Sequence, residues 1–350
     1  MMPEQTNNQE VAILWQAARL TLTGEYVVAP EILRVHGSAI GTLGNFSASI
    51  GKAKSKKTFN VSAIVAAALK NGTVLQYAAE LPENKRKILY VDTEQSPYHC
   101  QKVIRRIVRM AGLPLNEEPK HLDFLTLRRH TPEFRIAIVE KAIYNTEGLG
   151  LVIIDGIRDM VYDINSPSEA TKIISKLMQW TDERQIHIHT ILHQNKADEN
   201  ARGHIGTELN NKAETVLEVA KDKLDGNIST VQAIHIRAMD FQPFAFRIND
   251  DALPELADGY SMDKNKGENP YFDYSELKNE QHREALETAF SEAEQYGYSD
   301  LMRALKRGYA AIGCTYGENR LVKLKTFLEN KRMIIKDAAK KYKFNTEFHY

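Results

Sequence analysis

The residue types with the clearest potential for chemistry lie in one short, lysine-rich segment. Residues 51–58 read GKAKSKKT and match the pattern G-x-x-x-x-G-K-[ST], except that Lys56 stands where the second glycine is expected. In such a loop the backbone N–H groups surround a β-phosphate, the last lysine reaches the β and γ oxygens, and the following hydroxyl ligates Mg²⁺. The segment predicts a nucleotide-phosphate site formed by Gly51, Lys52, Ala53, Lys54, Ser55, Lys56, Lys57, Thr58 and Phe59.

Two apolar segments that each end in an acid follow this loop. Residues 88–94 read ILYVDTE and residues 151–155 read LVIID, which is typical of buried strands. Because α/β sheets bind ligands at the carboxyl ends of their strands, we expect both acids beside the phosphates. Glu94 is our candidate for polarising the water that attacks the γ-phosphate, and Asp155 for holding Mg²⁺ through water. Taken alone, the lysines could be a patch that contacts nucleic acid; the order of the three motifs favours a nucleotide site.

The composition excludes several classes of protein. With 43% hydrophobic and 26% charged residues in 350 positions, the chain resembles a soluble globular protein with one large and one small domain. The longest apolar run, Val61–Leu69, is too short to span a bilayer, and the N-terminus lacks the plan of a signal peptide. Cys100 and Cys314 lack metal-type spacing. We therefore expect a cytoplasmic protein with no membrane contact, disulfide or zinc framework.

Short apolar runs alternate with helical segments from residue 41 to residue 250. This alternation predicts an α/β domain with a mostly parallel sheet, which begins with a strand over Gly41–Ala48 and finishes with antiparallel strands. Before it, residues 1–40 are expected to form a helical arm, because apolar residues share one helical stripe there. After it, residues 251–280 are rich in Asp, Asn, Gly and Pro and are expected to form an acidic linker.

The remaining segment, residues 281–350, is predicted to be a small helical domain of the winged-helix type. Its third helix is expected over Glu318–Asn330, with Arg320 and Lys323 on the outer face. Residues 301–350 contain 12 lysines and arginines against 4 acids, a net charge of +8. Such a basic helical module is typical of DNA-binding domains. The alternative is a solvated surface on which the charges cluster by chance.

The order of P-loop, acid-tipped strand and Walker B strand resembles that of the RecA superfamily. Within it, the chain is similar to hexameric replicative helicases of the DnaB and plasmid RepA type. It is also similar to AAA-type ATPases carried on mobile elements of Bacteroidetes, whose G-K-A-K-S-x-K-[ST]-F loop resembles Gly51–Phe59. The resemblance covers roughly Thr42–Arg247, and its motifs are specific together.

The resemblance implies cofactors, partners and residue roles. The residues that match the motifs are Lys57 and Thr58 (P-loop pair), Glu94 (catalytic glutamate), Asp155 (Walker B acid), Gln194 (sensor of the γ-phosphate) and Arg237 (finger to the neighbouring subunit's ATP). His235 departs from the lysine that these families have beside the finger. The channel loops of the families imply DNA contacts for Lys196 and Arg202. The implied ligands are ATP and Mg²⁺, and the implied assembly is a ring or filament on single- or double-stranded DNA.

Alternatives remain for one histidine cluster and for the function. His187, His189 and His193 share one strand face, so a metal site is possible, although packed histidines are the more common outcome. The leading functional hypothesis is an ATP-driven, helicase-like motor acting in replication, mobilisation or transposition of a mobile genetic element. A nucleotide-gated DNA-binding protein with little unwinding activity is the alternative. A small-molecule kinase or signalling ATPase that binds no nucleic acid is the third, and the basic segment from Leu301 argues against it.

Overall fold

The structure is a computed structural model, and it describes residues 8–194, 203–222, 225–257, 274, 277–337 and 339–348. The chain divides into two compact units, Met1–Asp258 and Gly259–Tyr350. In chain order the first unit contains α1 (Asn8–Ala17), β1 (Glu31–Val35), β2 (Ser38–Thr42), β3 (Phe46–Gly51), α2 (Lys57–Lys70), β4 (Thr73–Val74), β5 (Tyr77–Ala79), β6 (Lys87–Asp92), α3 (Pro97–Met110), β7 (Leu122–Thr126), α4 (Pro132–Asn145), β8 (Leu149–Asp155), α5 (Pro167–Arg184), β9 (His187–His193), α6 (Gly203–Lys212), β10 (Thr215–Lys221), β11 (Ile228–Ile236), β12 (Phe244–Ile248) and β13 (Pro254–Leu256).

The large sheet of the first unit has the strand order β7-β6-β8-β9-β3-β10-β11-β12-β13. The strands from β7 to β10 are parallel, and β11, β12 and β13 continue the sheet in antiparallel fashion. Every residue of β8 is buried, as expected for a strand covered by helices on both faces. The prediction of an α/β fold with a mostly parallel sheet is confirmed, and the strand order is consistent with a RecA-like core.

Helices cover both faces of this sheet. Apolar residues of α2 and α3 form one core with one face, and those of α4, α5 and α6 form a second core with the other. Helix α2 is rich in alanine and almost wholly buried. Its N-terminus follows the end of β3 after a short loop. The carboxyl ends of β3, β6, β8 and β9 therefore meet the start of α2 at one edge of the sheet.

The first unit also contains a small sheet that the sequence did not lead us to expect. Strands β1, β2, β4 and β5 form it in the order β2-β1-β5-β4, and Leu33 of β1 pairs with Ala79 of β5. Within residues 8–40, the described part of the expected helical arm, only α1 is helical, and the strand expected over Gly41–Ala48 is split between β2 and β3. The strands of the small sheet have five residues or fewer, and the pairing of β1 with β5 joins segments distant in sequence, so local periodicity carries little signal for them.

The predicted linker also differs from the structure. Strand β13 lies within residues 251–280 and pairs with β12, as in Phe246 with Leu256, so the large sheet extends into this segment. Residues 258–273, 275 and 276 of the segment lie outside the described residues. Among the helices in the described part of the chain, none combines the length and apolar character that a membrane crossing requires.

The second unit contains α7 (Asn279–Ala289), β14 (Gln295–Tyr296), α8 (Tyr298–Ala311), α9 (Glu318–Asn330), β15 (Ile334–Lys336) and β16 (Tyr342–Phe344). Its strands form an antiparallel sheet in the order β14-β16-β15. Its core is apolar and aromatic. Helices α7 and α8 approach closely at Gly308, where a Cβ would lie 2.2 Å from the carbonyl oxygen of Ala285. Helix α9 begins and ends where the sequence predicted.

Candidate nucleotide-binding site

The lysine-rich loop connects β3 to α2, and its backbone shape accounts for its sequence. Strand β10 runs so close to Gly51 that a Cβ there would lie 2.2 Å from the carbonyl oxygen of Val219. Lys54 and Lys56 have φ angles of 65° and 68°, so both adopt the left-handed conformation. Such backbone turns N–H groups inward into an anion-binding concavity. For Lys56, which replaces a glycine of the motif, this conformation costs about 1 kcal/mol. The hydrogen bond from its ammonium to the carbonyl of Asn227 partly offsets that cost.

Lys57 is buried at the first turn of α2 and is held by the loop itself. Its Nζ donates to the carbonyl oxygens of Gly51 (2.7 Å) and Lys52 (2.9 Å) and lies 3.2 Å from Nδ1 of His193. Burial lowers the pKa of Lys57 to about 8, although Asp155 and Glu94 act in the opposite direction. Its position at the helix N-terminus, inside the concavity, is the one that a phosphate-binding lysine needs.

Thr58 and Asp155 bring two oxygen atoms together beside Lys57. The Thr58 hydroxyl donates to Oδ2 of Asp155 at 3.2 Å, and the Tyr90 hydroxyl donates to the same oxygen at 2.8 Å. Burial, with the nearby carboxylates of Asp92 and Glu94, raises the pKa of Asp155 to about 7. A divalent cation bound beside Asp155 would offset the repulsion among these carboxylates and stabilise the ionised form of Asp155. Mg²⁺ prefers such oxygen ligands and takes few of them from the protein.

Glu94 lies just past the end of β6, with its carboxylate facing His193. Oε1 of Glu94 is 3.6 Å from Nε2 of His193, a separation that suits an electrostatic contact better than a hydrogen bond. Interaction with His193, opposed by burial, keeps the pKa of Glu94 below its usual value. The carboxylate is therefore ionised at neutral pH, as a group that polarises water must be.

His193, and not Gln194, lines the cleft beside Lys57 and Glu94. His193 contacts both Lys57 and Glu94. Gln194 is buried and donates from Nε2 to Glu218 on β10 at 2.6 Å. The reason is strand alternation, because consecutive residues point to opposite faces and α2 covers the face of His193. The sequence showed that residues 187, 189 and 193 share one face of the strand, but not that α2 covers that face.

These side chains line one cleft of about 280 Å³ together with a basic face of α3. Lys54 to Phe59 contribute from the loop and α2, whereas Ala53 is exposed. The face of α3 was not predicted from the sequence, although the spacing of its residues, His99, Lys102 and Arg106, is helical. The guanidinium of Arg106 lies 3.5 Å from the ring centre of Phe59.

Two observations test whether this cleft suits a nucleotide with Mg²⁺. The Ser55 hydroxyl lines the cleft and, among the described residues, is buried without a hydrogen-bond partner. A buried polar group left in this way favours a polar ligand. The described residues also contain no cluster of three or more His, Cys, Asp or Glu side chains that could hold a metal. Thr58 and Asp155 offer two oxygen atoms, which suits a cation that keeps water and phosphate ligands.

Two of the strand histidines, His187 and His189, contact serines of β3. His187 and His189 are buried and both contact the hydroxyl of Ser47 at 2.7 Å, and His189 also contacts Ser49 at 2.8 Å. Burial lowers the pKa of both histidines. They are neutral groups of a packed hydrogen-bond network, which is the more common outcome for histidines on a covered strand.

Three of the remaining predicted residues fall within the described part of the chain. Arg237 follows β11, is exposed, and donates to the carbonyl of Lys212 at 3.2 Å. In α9, Lys323 is exposed and the guanidinium of Arg320 lies 5.8 Å from the ring centre of Tyr316. Lys196 and Arg202 lie outside the described residues.

Comparison with known proteins gives a match to one family model and to a solved structure. Residues 28–199 match the family model described as AAA domain. No curated protein matches the chain. A solved structure, "Crystal structure of the RadB recombinase", is 15% identical, covers 60% of this chain and 90% of its own, and has a TM-score of 0.42. The family match, with the P-loop and sheet order above, supports a RecA-like P-loop ATPase domain in this chain.

Proposed function

We propose that this chain is an ATP-dependent DNA-binding motor, a helicase-like ATPase that acts in replication, mobilisation or transposition of a mobile genetic element. The observation that carries the ATPase part is the convergence of Lys57, Thr58, Glu94 and Asp155 on one cleft, from three strands distant in sequence. The AAA domain match supports the same activity. The mobile-element role rests on the likeness of the lysine-rich loop to those of mobile-element ATPases.

Each group of the cleft has a distinct part in hydrolysis under this proposal. Lys57 binds the β and γ oxygens, and Glu94 orients and polarises the attacking water. Thr58 and Asp155 hold Mg²⁺, which when bound neutralises the charge of the phosphates. His193 lies between Lys57 and Glu94, so it takes the sensor role that we first assigned to Gln194.

The position of Arg237 supports assembly into a ring or filament, because Arg237 is too far from the cleft of its own chain to contact a nucleotide bound there. Strand β11 starts beside the P-loop, where Asn227 accepts a hydrogen bond from Lys56, and runs antiparallel to β10 toward the opposite edge of the sheet. Nine residues of strand place Arg237 roughly 30 Å from the loop. An arginine finger at this position can act only in a neighbouring subunit, within a ring or filament.

Two features support DNA as the partner. The segment after β8, Gly156–Ser166, meets the start of α6, since a Cβ on Gly203 would lie 2.6 Å from the carbonyl oxygen of Ile164. The segment after β8 thus reaches the start of the helix that follows β9, as expected if the loops after these two strands line a channel. In the second unit, the element order α7, β14, α8, α9, β15, β16 suits a winged helix, with Lys323 exposed on its third helix.

A second function is favoured by a specific observation at the loop. Lys56 takes a left-handed conformation that glycine adopts at lower cost, and its ammonium is held by Asn227. A loop braced in this way can bind ATP while turning it over slowly. The chain would then be a nucleotide-gated DNA-binding protein, in which ATP controls assembly on DNA.

ATP turnover with and without DNA tests both functions. A motor should hydrolyse ATP slowly alone and severalfold faster with single- or double-stranded DNA. A nucleotide-gated protein should bind DNA more tightly with ATP but show turnover that DNA does not raise. Absence of ATP binding in an equilibrium titration would contradict both.

A further inference from the structure

The buried hydroxyl of Thr93, next to Glu94, connects the end of β6 to the loop that follows β8. Thr93 is 1% exposed, and its Oγ1 lies 3.0 Å from the carbonyl oxygen of Asp155, 3.0 Å from that of Gly156 and 3.1 Å from Oδ2 of Asp159. A hydroxyl has one proton to donate, so three acceptors compete for it. The hydrogen-bonding state of Thr93 therefore depends on which acceptor is strongest.

The strength of one of these acceptors is controlled by an exposed cation. Nη1 of Arg158 lies 3.2 Å from Oδ1 of Asp159, and the Arg158 side chain is 42% exposed whereas that of Asp159 is 19% exposed. The backbone of Asp159 is fixed separately, since Nη1 of Arg135 donates to its carbonyl oxygen at 2.6 Å. The carboxylate of Asp159 thus has a fixed position and a cation that solvent, or a ligand, can reach.

The same loop also runs close to the carboxylate of Glu94. Gly156 has a φ of 100°, and a Cβ there would lie 2.2 Å from Oγ1 of Thr93 and 3.3 Å from Oε1 of Glu94. No larger residue fits this position, and a small shift of the Gly156 peptide changes the space that Glu94 occupies. The charge of Arg158 also helps to keep the pKa of Glu94 low.

We propose that Arg158, Asp159 and Thr93 form a relay that transmits the binding of nucleic-acid phosphates at loop 156–166 to Glu94. A phosphate that engages Arg158 leaves the carboxylate of Asp159 without its cation. That carboxylate then becomes the strongest acceptor for the Thr93 hydroxyl, because hydrogen bonds to unpaired charge are the strongest available. The carbonyl of Gly156 loses its share of the proton, and the peptide beside Glu94 is released. At the same time Glu94 loses the influence of one cation and becomes a stronger base.

The relay rests on the proposed function, and it concerns positioning, because Thr93 acts through Gly156 and Glu94. The first measurement is the ratio of ATP turnover with and without single-stranded oligothymidylate. The ratio should fall to unity in Thr93→Val, which keeps the shape and loses the proton, and in Asp159→Asn. Thr93→Ser should retain the ratio. Asp163→Asn is the matched control in the same loop, since the Asp163 carboxylate accepts from the backbone N–H of Asn165. The loss should appear in kcat with DNA and not in KM for ATP.

The second measurement needs no nucleic acid. Coupling between two sites is reciprocal, so a nucleotide at Glu94 must alter the loop as well. Hydrogen exchange of residues 156–166 should change when a non-hydrolysable ATP analogue and Mg²⁺ are added to the wild type and Thr93→Ser, and should not change in Thr93→Val.

The two measurements separate failure of the relay from failure of the proposed function. If DNA does not stimulate the wild type but the exchange difference depends on the Thr93 hydroxyl, the nucleic-acid function is wrong and the relay stands. If Thr93→Val matches the wild type in both measurements, the relay is wrong. If Thr93→Ser fails as Thr93→Val does, packing and not the proton is responsible, and the relay is also wrong.

Discussion

Polar side chains are distributed differently in the two units of the chain. In Met1–Asp258 the edge of the large sheet buries charge, and Lys57, Asp92 and Asp155 are each less than 10% exposed. In the described part of Gly259–Tyr350 the buried side chains are apolar or aromatic, with His282 as the polar exception, and its ring contacts the Tyr309 hydroxyl at 2.7 Å. The charge of the second unit lies on its surface.

This difference has consequences for how each unit responds to change. Buried charges depend on one another, because removal of one partner leaves another without compensation in a poorly solvated site. Exposed lysines and arginines act nearly independently and are screened by salt. Variants in the cleft should therefore have large, all-or-none effects, and variants in the second unit should have small, additive, salt-dependent effects.

The largest expected effect is loss of nucleotide binding in Lys57→Ala. Lys57 is the buried cation at the centre of the loop, and a charge-assisted contact to phosphate is worth about 1.5–3 kcal/mol or more, so affinity should fall at least roughly tenfold to 100-fold. Titration with a fluorescent ATP analogue measures it. Lys56→Ala is the matched control, because that ammonium contacts Asn227, and it should bind ATP nearly normally. The reverse pattern would mean that Lys56, and not Lys57, is the phosphate-binding lysine of the motif.

The next effect is on turnover, through Glu94→Gln. The amide keeps the size of the side chain but cannot act as a base, so turnover should fall by roughly 10²-fold while ATP affinity is retained. Steady-state phosphate release and an equilibrium titration measure the two quantities. Glu83→Gln, an exposed acid in the same unit, is the control. Equal turnover in Glu94→Gln would move the catalytic role to Asp92 or remove it.

Much of the cleft could be anticipated from the sequence, because its chemistry is encoded by residues at the ends of strongly apolar strands. Lys57, Glu94 and Asp155 each follow or end such a strand, and parallel strands bring their carboxyl ends to one edge. At the end of β9, a choice between His193 and Gln194 requires knowing which face of the strand α2 covers. The alternation of side chains along a strand assigns residues to two faces, but it does not show which face packs against α2.

The parts of the fold that could not be predicted depend on long-range pairing. The small sheet joins β1 to β5 across the whole P-loop helix, and neither strand is long enough to show a clear alternation. The basic face of α3 was visible as a helical pattern, but its place in the cleft depends on the packing of α3 beside α2. By contrast, α9 was predicted correctly, because its apolar residues repeat at the helical period over more than three turns.

For the second unit, the double variant Arg320→Ala/Lys323→Ala should weaken duplex DNA binding by roughly tenfold at low salt. Each side chain is expected to contact about one phosphate, so the log–log dependence of affinity on salt should lose about 0.9 per contact. Lys306→Ala, an exposed lysine on α8, is the matched control. Unchanged affinity and slope in the full chain would leave α9 as a structural or partner-docking helix.

A smaller effect on turnover is expected from assembly, in which Arg237 of one copy contacts the cleft of a second copy. A mixture of Arg237→Ala and Lys57→Ala chains should recover turnover a few-fold above either variant alone, because hybrid interfaces pair an intact cleft with an intact finger. Turnover of the mixture against the mixing ratio measures it. A sample that stays monomeric with ATP and DNA, as judged by light scattering, would contradict the role of Arg237.

The smallest expected effect is the pH dependence of nucleotide affinity, which reports on how strongly the cleft buries its charge. Burial lowers the pKa of Lys57 to about 8, so part of the population is neutral in the free protein near that pH. Bound phosphates favour the ammonium and raise its pKa, so binding near pH 8 takes up a proton and affinity falls as pH rises. Between pH 7 and pH 8 the charged fraction of a group with that pKa falls by about half, and affinity should fall about twofold.

The measurement is a titration at both pH values in buffers of different ionisation enthalpy, so that calorimetry detects the proton uptake itself. Lys57→Arg is the matched variant, because arginine stays protonated across this range, and its affinity should be flat with pH even if it is weaker. An exposed lysine of the second unit has no comparable burial, so DNA binding should show no such change between pH 7 and pH 8. If nucleotide affinity of the wild type is equally flat, Lys57 is fully charged in the free protein, and the cleft is better solvated than its buried position indicates.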